Sequence, residues 1–446
     1  MITLVALTAV AWTIVGIRGV MLHEPYPRNT LFFKPEVRFS DFLDLSERVP
    51  HMGEPHVLSR TDIKTTFLYP NPYPYPAASF YVFIFFVRLF PNPLAAYLTF
   101  VLLAFFTATG FLSLHVHRLT PRKLPQFAVW ATLLLNFPLM FLLDRGNIEA
   151  VIWVFILLGI VAYTRNRFQI SAIVWAVAAS MKIFPGLLFV LFLVKRKYAM
   201  FALAVAATVA FAVLALAGIG PTIREAAADS AKSAPFLTNT YIVARVAPEF
   251  DHSLLAGTKQ VIHVYDFLFE RSSVGLDPNQ AATRRTTREQ YIFKKMLPLY
   301  TFLIPLGAFL LYWFRLRHMP ILNQFITSMI LCILLPYVSG DYTLVHVSLV
   351  WGAFLLFLLK DVATGAVAIP GKAIVIMLFS CAVTFVPLSY LVLVRNFGQV
   401  FGLGAQVKTV FLALILWTVL RTPMPSSLFG DLRNLPGDPL PEPSSN

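Results

Sequence analysis

Residues 144–185 read DRGNIEAVIWVFILLGIVAYTRNRFQISAIVWAVAASMKIFP. A compact polar cluster opens this stretch and consists of Asp144, Arg145, Asn147 and Glu149. Lys182 then stands alone in an apolar run, just before Pro185. An ionisable group in hydrocarbon costs roughly 2.5–3.5 kcal/mol even on mild insertion scales, so it normally has a partner or a task. The stretch is therefore predicted to handle a charged substrate at a membrane.

Each polar residue also has a plainer interpretation. Asp144 and Arg145 can form an ion pair at the end of a membrane span, and Asn147 can start the next helix. Lys182 can extend its ammonium group to a lipid headgroup. The concentration of all these residues in one stretch favours the functional interpretation.

The composition is that of a polytopic membrane protein. Of the 446 residues, 58% are hydrophobic and 13% charged, and the mean hydropathy is +0.71, which a soluble domain of this length would not tolerate. The net charge of +14 lies mostly in short basic clusters between apolar runs. This distribution is typical of anchors that face anionic lipid and argues against nucleic-acid binding.

Several chemical classes lack their motifs in this sequence. Cys332 and Cys381 lie in apolar runs without Cys or His neighbours at ligand spacing, so neither a disulfide framework nor a zinc site is indicated. Walker, GxGxxG and HExxH motifs do not occur. The sequence thus argues against an ATP-driven pump, a dinucleotide enzyme and a membrane zinc protease.

The hydrophobic pattern predicts an all-α bundle with about twelve segments. These segments lie near residues 2–21, 76–90, 94–117, 126–143, 148–164, 170–194, 199–217, 291–313, 320–337, 342–359, 372–393 and 405–420. One membrane domain is expected over 1–421, with long outer loops at 22–75 and 218–290. The Pro-rich tail, 422–446, is expected to be disordered and cytoplasmic. The first segment is expected to be a retained span, because it lacks a basic leader and a cleavage site.

Basic clusters set the orientation of the second half. They occur at Lys195–Lys197, Arg315 and Arg317, Lys360, and Arg421, and all of them can be cytoplasmic together. The first half allows two topologies. Either all twelve segments span, or 76–90 and 170–194 are re-entrant hairpins, which are tolerated where protein or water covers them. Only the second topology turns Asp144–Glu149 outward.

The first loop contains a candidate catalytic carboxylate. Phe42, Leu45 and Val49 form an apolar stripe that predicts a short interfacial helix, with Asp41, Asp44 and Arg48 turned away from it. Asp41 at the interface can act as a general base toward a hydroxyl group, although a solvated acidic face explains the same spacing. Asp41 and Asp44 are not adjacent, so a divalent metal is left open but not suggested.

Two further elements are weaker candidates for substrate binding. Residues 253–269 show helical spacing of apolar residues and predict another interfacial helix, beginning at Ser253. Asp341 and Tyr342 open the tenth segment from the outer side. They can line the same cavity as the first loop, or Asp341 can simply favour a helix start.

Taken together, these residues resemble glycosyltransferase family 87, whose members use polyprenyl-phosphate sugars. The resemblance rests on DRGNIE at 144–149, on AASMKIFPGLLF followed by KRKY at 178–198, and on Asp41-Phe42 and Tyr73-Pro74-Tyr75-Pro76. Asp251–Leu254 is similar to a later family element with Asp in place of Asn, and Pro336–Tyr342 is similar to another with one extra residue. Arg-Gly-Asn-x-Glu and Lys-Ile-x-Pro also resemble glycolipid-anchor mannosyltransferases.

The resemblance implies a C-type glycosyltransferase fold with an acidic catalytic residue in the first outer loop. The expected reaction is inverting hexosyl transfer, such as mannosyl transfer, from a polyprenyl-phosphate donor to an extracytoplasmic lipid or glycan acceptor at a bacterial plasma membrane. Asp41 is the expected base, and Lys182 or Arg145 would bind the donor phosphate. Asp44, Asn147, Glu149, Ser253, Asp341 and Tyr342 are weaker substrate-binding candidates. No cofactor is expected.

Two other classes remain open from the sequence. A transporter or flippase of a lipid-linked sugar would use the same cations to bind phosphate, but inverted repeats are not evident. A structural scaffold would leave Lys182 unexplained.

Overall fold

The computed structural model describes residues 2–23, 38–60, 75–120, 122–243, 251–269, 277–388, 393–396, 399–402 and 404–431. Within these ranges the chain is a helical bundle. Its α-helices are α1 (Ile2–Gly16), α2 (Ser40–Ser46), α3 (Ala77–Leu89), α4 (Pro93–Leu119), α5 (Lys123–Leu134), α6 (Phe137–Arg145), α7 (Glu149–Thr164), α8 (Phe168–Met181), α9 (Val190–Val194), α10 (Tyr198–Leu216), α11 (Ile223–Leu237), α12 (Leu254–Phe269), α13 (Pro278–Phe314), α14 (Ile321–Leu334), α15 (Val347–Phe357), α16 (Gly371–Thr384) and α17 (Gly404–Arg421).

Shorter helical turns connect these elements. The 3-10 turns are Val49–His51, Phe184–Phe189, Leu316–His318, Asp341–His346 and Ser427–Phe429, and π turns occur at Ile17–Met21, Thr238–Val243 and Leu358–Val362. One antiparallel hairpin, β1 (Leu393–Asn396) and β2 (Gln399–Gly402), pairs Leu393 with Gly402 and Asn396 with Gln399. Sequence reasoning did not predict this hairpin, because a short apolar run fits a strand and the end of a buried helix equally well.

Seven helical stretches in the described part of the chain are long and apolar enough to cross a membrane. They are Leu4–Met21, Pro93–Leu119, Lys123–Arg145, Tyr198–Leu216, Thr287–His318, Asp341–Val362 and Gly404–Arg421. The protein is therefore an integral membrane protein with a helical fold. Each predicted apolar segment contains at least one helix, but the remaining helices are shorter, and a count of twelve spans is not confirmed.

The segment predicted at 170–194 is broken at Lys182. Helix α8 ends at Met181, and Lys182 is extended, with φ −156° and ψ 124°. A 3-10 turn with Pro185 near its start then leads into α9. Proline lacks the N–H that would continue the helix. The break releases Lys182 from the regular helix and lets its side chain reach another element.

Close packing holds α8 against α7. Gly159 of α7 faces Trp175 of α8, and a Cβ added at Gly159 would clash with the indole nitrogen. That nitrogen donates to the carbonyl of Ile156 at 3.2 Å. The absence of a side chain at Gly159 thus allows the two helices to approach, and it fixes α8 relative to the start of α7.

The first-loop helix forms as predicted, but its polar face does not point to solvent. Helix α2 covers Ser40–Ser46, whereas Asp41, Asp44 and Arg48 are all buried. Arg48 donates through Nη1 to the carbonyl of Val57 at 2.8 Å. The alternative explanation, a solvated acidic face, is therefore wrong, because the loop folds back over the charged side of the helix as well as over its apolar stripe.

The first loop and the Asp144–Glu149 turn lie on the same side of the bundle. The backbone N–H of Phe39 donates to the carbonyl of Asp144 at 2.8 Å, and Arg38 Nε lies 3.2 Å from Asp144 Oδ1. The simple twelve-span topology would place them on opposite sides. The contacts therefore show that the turn and the first loop meet, and which of the segments between them re-enter stays a prediction.

The start of the predicted disordered tail is packed against the bundle. Met424, Ser426 and Phe429 are buried, and Asp361 accepts from Ser426 Oγ at 2.8 Å. Lys195 Nζ donates to the carbonyl of Phe429 at 2.9 Å. The predicted boundary at residue 422 was thus too early, since apolar side chains and hydrogen bonds hold this segment despite its prolines. Residues 432–446 lie outside the described residues.

Candidate active site

Asp41 lies at the centre of a buried polar cluster. Arg145 Nη2 forms an ion pair with Asp41 Oδ1, and Asn147 Nδ2 donates to Asp41 Oδ2 at 2.5 Å. Asn147 Nδ2 also donates to the Tyr75 hydroxyl at 2.9 Å, and the carbonyl of Asn147 accepts from Tyr97. Each carboxylate oxygen of Asp41 therefore has a defined donor, and the side chain is held in one orientation.

Burial protects this cluster from water. The Asp41 side chain is 7% exposed and that of Arg145 is 13% exposed. Burial of its hydroxyl, followed by the charge of Asp41, raises the pKa of Tyr75 well above its ordinary value. Tyr75 is therefore a neutral phenol beside the carboxylate. Charged groups interact more strongly here than in water because the surroundings screen them less.

The helix that presents Asp41 requires a glycine in the facing turn. Gly146 adopts a left-handed conformation with φ +63°, and an added Cβ would lie 2.7 Å from Phe42 Cβ. Phe42 also packs against Phe83 at 5.5 Å between ring centroids and against Tyr97 at 5.1 Å. The α2 helix is thus positioned by aromatic packing on one side and by a side-chain-free turn on the other.

We expect Gly146→Ala to lower the free energy of unfolding by about 1–3 kcal/mol, because alanine is strained at positive φ and its methyl group would push α2 away. Thermal unfolding of the purified protein in detergent measures this loss. Gly110→Ala in α4 is the matched control, since a Cβ there meets nothing within 4 Å. Equal unfolding temperatures for the two variants would contradict this account of the turn.

A second ion pair lies two residues along the chain from Asn147. Lys182 Nζ forms an ion pair with Glu149 Oε1, and His346 Nε2 lies 2.8 Å from Glu149 Oε2. The Glu149 N–H donates to Asn147 Oδ1 at 3.0 Å, which links this pair to the Asp41 cluster. Glu149 is 2% exposed, whereas Lys182 is 19% exposed. The ammonium group is therefore the more accessible member of the pair.

Tyr342 lies between the two ion pairs. Lys182 Nζ is 5.9 Å from the centroid of its ring, and Arg145 is within electrostatic range of its hydroxyl. The ring of Phe141 stacks on it at 6.4 Å. Tyr342 is thus held by an aromatic contact and faces both predicted phosphate-binding cations.

Three other predicted residues, Asp341, Ser253 and Asp44, have structural contacts away from the two ion pairs. Asp341 is fully buried and lies 2.8 Å from His252 Nε2 and 2.7 Å from Lys408 Nζ. Ser253 Oγ accepts from the backbone N–H of Ala256 at 3.0 Å, which caps helix α12. Asp44 is buried one turn after Asp41 on α2. Among the described residues, no group of three potential metal-ligating side chains occurs.

Sequence reasoning missed several residues of this region. His346, Tyr97, His252 and Lys408 were not singled out, although each contacts a predicted site residue. Lys408 had a detectable signal, because it is a cation within an apolar segment, as Lys182 is. The histidines and Tyr97 had no such signal, since their roles arise from contacts between residues distant in sequence.

Fold and site together define an integral membrane protein with two neighbouring ion pairs in its helical bundle, Asp41–Arg145 and Glu149–Lys182. The first of them includes a residue of the first loop. The sequence model of glycosyltransferase family 87 matches residues 73–260 of this chain. The match covers Arg145, Asn147, Glu149 and Lys182, while Asp41, Asp341 and Lys408 lie outside it. It supports the resemblance to family 87, and that family implies a membrane glycosyltransferase. No curated protein and no solved structure gives a significant match.

Proposed function

We propose that this protein transfers a hexose from a polyprenyl-phosphate sugar to an acceptor hydroxyl on the outer side of a bacterial plasma membrane. The observation that carries the proposal is the adjacency of the Asp41–Arg145 and Glu149–Lys182 pairs, joined by the Asn147 side chain. One pair offers a carboxylate base and the other a partly exposed cation. Transfer of a sugar from a lipid phosphate requires both a base and a cation.

Asp41 is the proposed general base. The acceptor oxygen attacks the anomeric carbon and forms the new glycosidic bond, while its proton passes to the Asp41 carboxylate. Arg145 and Asn147 bind its two carboxylate oxygens and fix the direction of the side chain before substrate arrives. Attack from the side opposite the leaving phosphate inverts the configuration at the anomeric carbon.

Lys182 is the proposed partner of the leaving group. The bond between the anomeric carbon and the phosphate oxygen breaks, and its electron pair stays on the lipid phosphate, which gains negative charge. A cation already in place at a poorly hydrated site stabilises that charge better than one in water. Lys182 suits this role because Glu149 holds it and it remains partly exposed. Arg145 is paired with the proposed base and assists by holding the Asp41 carboxylate in place.

The experiment is product formation by the purified protein in liposomes. Polyprenyl-phosphate mannose with a radiolabelled sugar is supplied together with a bacterial membrane-lipid extract as acceptor. A new labelled glycoside of inverted anomeric configuration is expected. Movement of intact donor across the bilayer without any new glycoside would instead establish a transporter and overturn the proposal. Product formed with retained configuration would refute the single-displacement step.

A further inference from the structure

Three ionisable side chains meet in a cluster beside the proposed active site. Asp341 Oδ1 lies 2.8 Å from His252 Nε2 and accepts from Lys408 Nζ at 2.7 Å. All three side chains are completely buried, at 0% exposure. The other ring nitrogen of His252 lies 3.1 Å from the carbonyl of Ala405. None of these groups has a role in the proposed transfer step, although burying three such groups is costly.

The cluster joins three distant parts of the chain. His252 comes from the second long loop, just before α12, Asp341 from the start of the 3-10 turn Asp341–His346, and Lys408 from α17. Neighbouring hydrogen bonds reinforce the junction. The His252 N–H donates to the carbonyl of Ser339 at 2.8 Å, and Asp251 Oδ1 accepts from the Ser339 N–H at 2.8 Å. The start of the 3-10 turn is therefore clamped on two sides.

The same 3-10 turn reaches the Glu149–Lys182 pair at two points. Tyr342 places its ring 5.9 Å from Lys182 Nζ. His346, at the other end of the turn, lies 2.8 Å from Glu149 Oε2. A shift of this turn would therefore move the Tyr342 ring, which lies near the Lys182 ammonium group. It would also move His346, which contacts the Glu149 carboxylate.

We propose that Lys408 and His252 are positioning residues, which act through Asp341 to fix the 3-10 turn and thereby the place of the Lys182 ammonium group. This inference rests on the proposed function, in which Lys182 meets the phosphate of a lipid-linked sugar. Lys408 and His252 touch neither substrate in this assignment. Their contacts with Oδ1 fix the direction of the Asp341 carboxylate, which an apolar contact of the same size would leave free to rotate.

The kinetic test replaces Lys408 with methionine, which keeps the length of the side chain and removes the charge. Lys408→Met is expected to lower kcat for transfer from polyprenyl-phosphate mannose about 10- to 100-fold, because a displacement of about 1 Å near the reacting groups has an effect of this size. The KM for donor should change less than kcat. Lys372→Met, an exposed lysine on α16, is the matched control and should be unchanged.

A double-mutant cycle separates positioning from general structural support. If Lys408 acts through Lys182, then adding Lys408→Met to a Lys182→Met protein should cost little more activity, about twofold at most. If the fold-loss of activity in the double variant equals the product of the losses in Lys408→Met and Lys182→Met, then Lys408 does not act through Lys182 and the proposal fails. Lys408→Arg, which restores a cation, should recover part of kcat.

A readout without substrate keeps this test independent of the transferase proposal. The rate at which a water-soluble amine reagent modifies Lys182 is followed by mass spectrometry, and Lys408→Met should raise it several-fold relative to Lys372→Met. A raised rate in a protein without transferase activity would support the positioning role and refute the proposed function. An unchanged rate in an active enzyme would refute the positioning role alone.

Removal of one buried charge can prevent folding, because it leaves the other charges uncompensated. The paired variant Asp341→Asn with Lys408→Met removes both charges and keeps both shapes. It is expected to fold and to show the same fall in kcat and the same rise in Lys182 modification. A folded double variant with wild-type values for both readouts would overturn the proposal.

Discussion

Asp41→Asn is expected to reduce sugar transfer about 10²- to 10⁴-fold, which is the usual contribution of a general base. Asparagine keeps the shape of the side chain, but its amide cannot take a proton from the acceptor hydroxyl. The variant also loses the ion pair with Arg145, so its unfolding temperature must be measured beside its activity. Initial rates with polyprenyl-phosphate mannose and a bacterial membrane-lipid extract give the activity.

Asp44→Asn is the matched control for this experiment. Asp44 lies on the same helix and is buried to nearly the same degree, at 8% against 7% for Asp41. Its loss of activity is expected to stay below about tenfold, since it serves as no base in the proposed step. Full activity of a folded Asp41→Asn protein would remove Asp41 from the mechanism. Equal losses in both variants would point to a general effect on the loop.

Lys182→Met is expected to reduce kcat about 10²- to 10³-fold, the range observed when one group that stabilises developing negative charge is removed. The thioether keeps most of the apolar stem but cannot stabilise the leaving phosphate. The variant also removes the ion pair of the buried Glu149 carboxylate and leaves its contact with His346, so some loss of stability accompanies the kinetic effect. Single-turnover transfer from labelled donor separates the chemical step from donor binding.

Lys195→Met is the control for this second variant. Lys195 is also a partly buried lysine near an aromatic ring, 5.5 Å from the centroid of Tyr163. It binds the carbonyl of Phe429 in the packed C-terminal segment rather than a residue of the candidate site. It should therefore affect stability with little change in kcat. If Lys182→Met raised only the donor KM, the lysine would bind donor without stabilising the leaving group.

The polar residues of the opening stretch were recognisable because a charge in an apolar segment is costly and therefore informative. Arg145, Asn147, Glu149 and Lys182 do converge in the structure. Asp41 was selected by its place in a short helix after the first segment, and that helix forms. The sequence left open whether its polar face is solvated, because helical periodicity cannot show whether a loop covers an interfacial helix.

Topology was the least predictable feature. The hydrophobic pattern located every apolar segment, yet helix length in the structure supports seven candidate spans rather than twelve in the described part of the chain. The sequence left the side of the Asp144–Glu149 turn open, since the segments at 76–90 and 170–194 could either span the membrane or re-enter it. The hydrogen bond from the Phe39 N–H to the Asp144 carbonyl shows that this turn meets the first loop.

The sequence by itself determined that this is a helical membrane protein, and its charges in apolar segments indicated where a polar site would form. These properties follow from transfer free energies, which depend on local composition. Only the tertiary structure decided which charges pair. It joined Asp41 to Arg145, Glu149 to Lys182 and His346, and Asp341 to His252 and Lys408. Such pairings depend on the packing of helices far apart in the chain, and a break at Lys182 was needed to complete one of them.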